Sequence, residues 1–233
     1  MSKIKICGLS RSEDIDAVNR ALPDYIGFVF ADSSRRVDED TAGALKARLD
    51  PQILSVGVFV NCEIEAIADL YDRGVIDLVQ LHGDEDAAYI ADLKACCGCP
   101  IIKAIGIADA TPSTQYPSPQ GSAVPSVPPS SPAQPEALTS LQSPPPLSPD
   151  IDYYLFDALS AKRGGTGQTF DWHLLEHYSG PPYFLAGGIS TDNIAQAIRR
   201  LAPYCIDVSS GAETDGRKDP DKIEQLVRLA RSS

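Results

Sequence analysis

The chain has 233 residues, of which 43% are hydrophobic and 22% are charged, the usual balance of a globular protein. Its 32 acidic and 20 basic residues give a net charge of −12, which repels phosphate backbones and argues against a nucleic-acid partner. The longest apolar runs, such as Val56–Val60, are far shorter than the roughly 20 residues that span a bilayer, so we expect no membrane partner either.

The first residues and the cysteines favour a reducing compartment. The N-terminus leads directly into a strand-like pattern and lacks the apolar segment of a secretory signal. The six cysteines are scattered, which predicts reduced thiols, as in the cytoplasm or a plastid stroma. Cys96, Cys97 and Cys99 lack the paired spacing and the second ligand cluster of a zinc site. His173 and His177 have no acidic ligand placed beside them, so we expect no metal.

Eight short apolar runs, rich in β-branched residues, predict strands. Most of them are apolar almost throughout, as expected where both faces of a parallel strand are covered. The predicted strands are Ile4–Cys7, Tyr25–Phe30, Leu54–Val60, Leu78–Leu81, Ile101–Ile105, Tyr153–Asp157, Tyr183–Ala186 and Ile206–Val208.

Helical patterns lie between these strands, with apolar residues at spacings of three and four. The predicted helices are Glu13–Leu22 after a Ser12 cap, Glu39–Leu49, Glu63–Arg73, Glu85–Cys96, Asp171–Tyr178, Thr191–Leu201 after Ser190, and Pro220–Arg231. Alternating strands and helices predict parallel strands that are joined by right-handed crossovers.

Eight such units predict an α/β fold in which residues 1–233 form a single domain, a closed (β/α)8 TIM barrel. An open doubly wound sheet is the alternative. A dinucleotide-binding sheet of that kind carries G-x-G-x-x-G after its first strand, whereas only Gly8 follows Cys7 here.

A tract rich in proline and serine interrupts the regular spacing of the strands. Residues 109–150 contain twelve prolines and nine serines, and proline at this density excludes a continuous helix. Poor apolar content leaves little to offset the entropy of ordering. We therefore predict a low-complexity, disordered insertion that replaces or erodes the fifth helix of the barrel. A proline-rich ligand for a signalling domain is the alternative interpretation.

In a TIM barrel the active site lies at the carboxyl ends of the strands. Cys7 ends the first predicted strand and Asp157 the sixth, so a thiol and a carboxylate would face one pocket and act as base and acid. Taken singly, a cysteine such as Cys7 more often fills the barrel interior, and Asp157 could equally cap a loop. Arg36 follows the second strand, where its planar guanidinium would clamp a carboxylate or remain a solvated charge. Gln80 and His82 stand at the end of the fourth strand, where we expect them to bind substrate.

Glycine-containing loops follow the sixth, seventh and eighth strands. Glycine lets the backbone approach a ligand and direct several N–H groups at it, and loops after strands seven and eight commonly hold phosphate in this barrel. We predict a phosphate site, with ordinary turns as the alternative, formed by Gly164, Gly165, Gly167, Gly187, Gly188, Ser210 and Gly211.

The motifs, in this order, resemble those of the phosphoribosylanthranilate isomerase family and span the chain apart from residues 109–150. They are KICGLSR at 5–11, GFVF with SSRRV at 27–37, VGVFVN at 56–61, VQLHGDE at 79–85, IIKAIG at 101–106, YLFDA at 154–158, GGTGQTFDW at 164–172, FLAGGIS with Asn193, and IDVSSGAET with GRKD across 206–219.

The resemblance implies a (β/α)8 barrel enzyme of tryptophan biosynthesis. Such an enzyme converts N-(5-phosphoribosyl)anthranilate into 1-(2-carboxyphenylamino)-1-deoxyribulose 5-phosphate, an Amadori rearrangement that needs no cofactor. By this resemblance Cys7 is the general base, Asp157 is the general acid and Arg36 faces the anthranilate carboxylate. The glycine loops match the phosphate site, and the expected partner is a phosphorylated small molecule.

Two other functions are alternatives to this enzyme. Other phosphate-binding barrels, such as tryptophan synthase α, imidazole-ring-forming enzymes and ribulose-phosphate epimerases, share the phosphate loops. The epimerases use metal-binding histidines, whereas His82 is the only histidine near a predicted strand end. The second rival is a barrel kept as a scaffold whose proline- and serine-rich tract recruits partners, and the presence of both Cys7 and Asp157 argues against it. The sequence leaves a monomer and a homodimer both open.

Overall fold

A closed barrel of eight parallel strands forms the centre of the molecule, in a computed structural model that describes residues 1–107, 148–158 and 170–233. Each strand pairs with the next, and β8 pairs back to β1. This confirms the predicted (β/α)8 barrel and rules out the open sheet. The strands are β1 (Lys3–Cys7), β2 (Tyr25–Val29), β3 (Leu54–Phe59), β4 (Leu78–Leu81), β5 (Ile101–Ile107), β6 (Tyr153–Ala158), β7 (Tyr183–Leu185) and β8 (Cys205–Val208).

Helices surround the barrel between successive strands. They are α1 (Ser12–Ala21), α2 (Glu39–Lys46), α3 (Ile64–Asp72), α4 (Ala87–Cys97), α5 (Ile194–Leu201) and α6 (Pro220–Ser232), with short 3-10 helices at Trp172–Leu175 and Ser210–Ala212. A two-stranded hairpin of β9 (Glu213–Thr214) and β10 (Arg217–Lys218) follows the second 3-10 helix. No helix in the described part of the chain is long and apolar enough to cross a membrane.

Three local predictions about helix starts and lengths were wrong. Helix α1 is capped by Arg11 and Asp14 rather than by Ser12, because the Asp14 carboxylate accepts the backbone N–H of Arg11 at 3.1 Å. Helix α5 begins after Asn193, not directly after Ser190. The segment predicted as the helix 171–178 forms only a 3-10 turn, whose backbone bonds run from residue i to i−3, and the following Gly-Pro-Pro sequence prevents its extension.

The proline- and serine-rich tract lies almost entirely outside the described residues. Residues 108–147 are not described, so the predicted insertion and the loss of the fifth barrel helix stay predictions. The last residues of the tract form a turn that leads into β6, in which the Ile151 N–H donates to the Ser148 carbonyl at 3.2 Å.

In the described part of the chain, two apolar clusters form the core, one outside the strands and one inside the barrel. The larger cluster packs the outward-facing strand residues, such as Ile4 and Ile6, against the helices. The smaller cluster fills the lower barrel interior and consists of Tyr25, Val56, Leu78, Ile102, Leu155, Phe184, Ala186 and Cys205. Since side chains alternate along a strand, the next inward residues are two positions further on. In β4, β6 and β8 those positions are Gln80, Asp157 and Asp207, and Lys5 of β1 bonds two of them. A polar cavity therefore lies above an apolar floor.

Candidate active site

One cavity opens at the carboxyl ends of the strands and brings together most of the described candidate residues. Its lining includes Cys7, Gln80, His82, Asp157, Gly187, Gly188 and Ser210. These residues come from β1, β4, β6 and the segments after β7 and β8, which are distant in sequence and adjacent only in a closed barrel. The structure therefore places the predicted thiol and carboxylate on one cavity.

Five of the predicted positions are not among the described lining residues. Arg36 is exposed and is not among the described residues that line the cavity, whereas its neighbour Arg35 is. Gly211 lies directly behind the lining, because a Cβ there would stand 1.9 Å from the Ile189 carbonyl oxygen. The predicted Gly164, Gly165 and Gly167 fall in residues 159–169, which lie outside the described part of the chain.

Cys7 is buried at the end of β1, with 8% of its surface exposed. Burial raises the pKa of its thiol above the ordinary value and, together with the Asp207 carboxylate, outweighs the lowering by the Lys5 ammonium and, less strongly, by that of Lys218. A thiol acts as a base only as the thiolate, so the balance of these charges sets how much base is present.

Asp157 faces His82 across the cavity. The Nε2 atom of His82 lies 3.5 Å from Asp157 Oδ2, and its Nδ1 atom lies 2.9 Å from Gln80 Nε2. Because Gln80 Oε1 already accepts a hydrogen bond from Lys5 Nζ at 2.7 Å, the amide nitrogen of Gln80 donates to His82 Nδ1. We therefore assign to neutral His82 the tautomer whose Nε2–H points towards Asp157.

Lys5 and Asp207 form an ion pair inside the barrel that the sequence analysis missed. They are opposite each other in the pairing of β1 with β8, and Lys5 Nζ donates to Asp207 Oδ2 at 2.9 Å. Burial by itself would lower the pKa of Lys5, but the Asp207 carboxylate and the neighbouring Cys7 raise it above the ordinary value. The signal was present: both residues are charged and stand at inward strand positions, Lys5 two residues before Cys7.

A second ionic cluster, also missed, joins the loop after β2 to the segment after β8. Glu213 accepts hydrogen bonds from Arg35 Nε at 2.7 Å, Arg35 Nη2 at 2.8 Å and Lys218 Nζ at 2.6 Å. Burial would raise the pKa of Glu213, but these hydrogen bonds lower it to about 2. Arg35 also packs over Gly8, where a Cβ would lie 2.5 Å from Arg35 Cδ and where φ is +84°, so this position requires glycine.

The loop after β7 has the backbone geometry expected of an anion site. Gly187 and Gly188 both have positive φ, and a Cβ on Gly187 would stand 2.8 Å from the Ala158 backbone nitrogen. The side chain of Asn193 fixes the loop, since it accepts from Ser190 N at 2.9 Å and donates to Gly188 O at 2.9 Å. Closely packed glycines before a helix N-terminus suit a phosphate group.

No cluster of potential metal ligands occurs within residues 1–107, 148–158 and 170–233. Cys96, Cys97 and Cys99 are free thiols. His173 bonds Glu176 at 2.9 Å on the surface.

The family model and the curated relatives identify one family. The model of the N-(5'-phosphoribosyl)anthranilate (PRA) isomerase family matches residues 4–121 and 138–229. The chain belongs to this family. A phosphoribosylanthranilate isomerase of Endomicrobium trichonymphae is 44% identical over 233 residues, which cover the whole of both chains. The family resemblance that the sequence motifs predicted is thereby confirmed.

Solved structures of phosphoribosylanthranilate isomerases share this barrel fold. The enzyme of Thermotoga maritima superposes with a TM-score of 0.75 at 28% identity, with both chains fully covered. A second structure, of a complex with reduced 1-(o-carboxyphenylamino)-1-deoxyribulose 5-phosphate, has a TM-score of 0.72 at 26% identity and the same coverage.

Proposed function

We propose that Cys7 and Asp157 are the base and the acid with which this chain performs its family's isomerisation. That reaction is the Amadori rearrangement of N-(5-phosphoribosyl)anthranilate to 1-(2-carboxyphenylamino)-1-deoxyribulose 5-phosphate in tryptophan biosynthesis. The observation that carries the proposal is that both side chains line one cavity at the carboxyl end of the barrel. The related complex contains a reduced form of this product, which supports a phosphorylated substrate here.

The two groups divide the reaction into a ring opening and a proton abstraction. Asp157 donates a proton to the ribose ring oxygen, the C1–O bond breaks, and the anthranilate nitrogen supplies the electron pair of a Schiff base. The Cys7 thiolate then removes the proton from C2, and the electrons of that C–H bond form an enolamine. Tautomerisation gives the ketone, so each proton taken from the sugar is matched by one delivered and no redox cofactor is required.

Two anionic groups of the substrate require binding sites. We assign the phosphate to the loops that contain Gly187, Gly188, Ser210 and Gly211, and, by the sequence resemblance, to Gly164, Gly165 and Gly167. Arg36 is proposed for the anthranilate carboxylate. Its backbone forms a bridge with Val29, which lines the cavity, and this bridge fixes the point from which the exposed guanidinium reaches the mouth.

The cellular setting is proposed on chemical grounds. The six cysteines are free thiols, which supports a reducing compartment such as the cytoplasm. Both a monomer and a homodimer fit the family, because one related structure shows monomers generated from the dimeric isomerase of Thermotoga maritima. The acidic surface supports the absence of a nucleic-acid partner.

Single-turnover kinetics with phosphoribosylanthranilate test the acid–base pair. We expect wild-type turnover and losses of at least about a hundredfold in Cys7→Ala and Asp157→Asn, the usual contribution of a positioned acid or base. Cys62→Ala is the matched control, because this half-buried thiol lies outside the cavity lining and its loss leaves the rate unchanged. A folded Cys7→Ala protein within about tenfold of wild type would remove Cys7 from the mechanism. If the wild type binds the ligand without converting it, the result would favour the alternative function, a barrel kept as a scaffold.

A further inference from the structure

Lys5 is a fully buried cation that the acid–base mechanism leaves without a role. It has no exposed surface, and its Nζ atom lies within the polar interior just below Cys7. Two of its three N–H groups are accounted for, one by Gln80 Oε1 at 2.7 Å and one by Asp207 Oδ2 at 2.9 Å. An ammonium group has three donors, so one remains for another acceptor.

Cys7 is the neighbouring acceptor. The point at which a Cβ would stand on Gly27 lies 2.7 Å from Cys7 Sγ and 3.2 Å from Lys5 Cε. The sulfur and the end of the lysine side chain therefore border the same small space, which exists because Gly27 has no side chain. The third N–H of Lys5 can donate to the sulfur there, and the ammonium is one of the influences that lower the pKa of the Cys7 thiol.

The same ammonium also acts towards Asp157, through two intervening side chains. Its bond to Gln80 Oε1 fixes which end of that amide faces Lys5, so the amide nitrogen faces His82 Nδ1 at 2.9 Å. His82 then carries its proton on Nε2, which lies 3.5 Å from Asp157 Oδ2. Without the cation, the Gln80 amide loses the hydrogen bond that fixes this orientation.

We propose that Lys5 is the positioning residue of this active site: its ammonium holds the Cys7 thiolate and, through Gln80, sets the tautomer of His82 opposite Asp157. The inference rests on the proposed role of Cys7 as base. It concerns a residue that touches neither the sugar nor the anthranilate, since Cys7, Gln80 and Asp207 surround its charged end.

Among the described residues, four charged groups face Cys7, and they act in opposite directions. Lys5 on β1, Lys218 on β10 and Arg35 after β2 are cations, and Asp207 on β8 is the opposing carboxylate. Lys5 has the largest effect among them, and burial of the thiol acts against it. Removal of the Lys5 charge should therefore raise the pKa of Cys7 by about 1 to 3, the usual effect of one close opposite charge.

The test measures the pKa of the Cys7 thiol directly. The rate of alkylation by iodoacetamide is followed against pH, and the modified Cys7 peptide is quantified by mass spectrometry in the wild type and in Lys5→Met. We expect the Cys7 pKa to rise in the variant. We also expect kcat/KM at neutral pH to fall at least about tenfold and to recover as the pH increases, with little change in KM. Where Lys5→Met does not fold, Lys5→Gln replaces it, because its amide still donates to Gln80 and Asp207 without the charge.

Lys103→Met is the matched control. This lysine is also buried near the carboxyl ends of the strands, and it bonds Glu85 at 2.6 Å and the Gly83 carbonyl at 2.9 Å. It does not line the cavity, so its loss should leave the Cys7 pKa unchanged. An unchanged Cys7 pKa in the folded Lys5 variant, or an equal increase in the Lys103 variant, would overturn the proposal. Alkylation reports on Lys5 even if Cys7→Ala proves active, so the two hypotheses can fail separately.

Discussion

The replacement Glu213→Gln tests whether the ionic cluster behind the cavity stabilises the barrel. The Glu213 carboxylate is 8% exposed and accepts three hydrogen bonds from Arg35 and Lys218. The neutral amide would leave two largely buried cations without a counterion, and breaking a buried ion pair in this way costs about 3–5 kcal/mol. The pKa of Glu213 gives a similar figure, because a decrease from 4.5 to about 2 corresponds to about 3 kcal/mol.

The effect should depend on pH with a definite sign. The pKa of Glu213 is lower in the folded protein than in the unfolded chain, so its stabilisation is fully present above about pH 4.5 and is lost as the pH falls towards about 2. Urea unfolding from neutral pH down to about pH 2 should show that Glu213→Gln loses about 3 kcal/mol at neutral pH and converges with the wild type in acid.

Glu39→Gln provides the control for this measurement. Glu39 bonds Arg73 at 3.2 Å, and both side chains are about half exposed, so we expect no measurable change in stability. A loss below about 1 kcal/mol in Glu213→Gln, or a loss that is the same at every pH, would refute the reasoning from the buried charge.

Two further predictions concern the rim and the tract outside the described residues. Gly211→Ala would place a Cβ 1.9 Å from the Ile189 carbonyl oxygen, so titration calorimetry should show at least about tenfold weaker binding of inorganic phosphate. Gly43→Ala is its control, since that Cβ would meet only Val75 at 3.9 Å, and unchanged phosphate affinity in Gly211→Ala would contradict the proposed site. A short linker in place of residues 109–150 should leave kcat/KM unchanged, because no candidate site residue lies there, and a large loss in the folded protein would show otherwise.

Local patterns were sufficient to predict the barrel and to place its two candidate reactive groups at one end of it. The end of β1 at Cys7 and the bounds of β4 (Leu78–Leu81) agree with the sequence analysis, because apolar runs bounded by polar turns mark buried parallel strands. Cys7 and Asp157 could then be placed on one cavity, since the carboxyl ends of all eight strands meet at one end of a TIM barrel.

The contacts that hold these groups could not be predicted, because they depend on strand register and loop packing. Lys5 and Asp207 are 202 positions apart in the sequence, and only the pairing of β1 with β8 places them opposite each other. Arg35 and Glu213 are 178 positions apart and meet through two loops. The sequence marks such residues as charged, but without the register it does not identify their partners.

The alternation of side chains along β1 links the stability of the barrel to its proposed chemistry. Ile4 and Ile6 face outward into the helical layer, whereas Lys5 and Cys7 face inward. A slip of one residue would turn the isoleucines into the polar interior and carry both the lysine and the thiol out of it. The pairing of Lys5 with Asp207 opposes such a slip, because any other register would leave two buried charges without partners. The interaction that fixes β1 against β8 is therefore the same one that places a cation beneath the thiol.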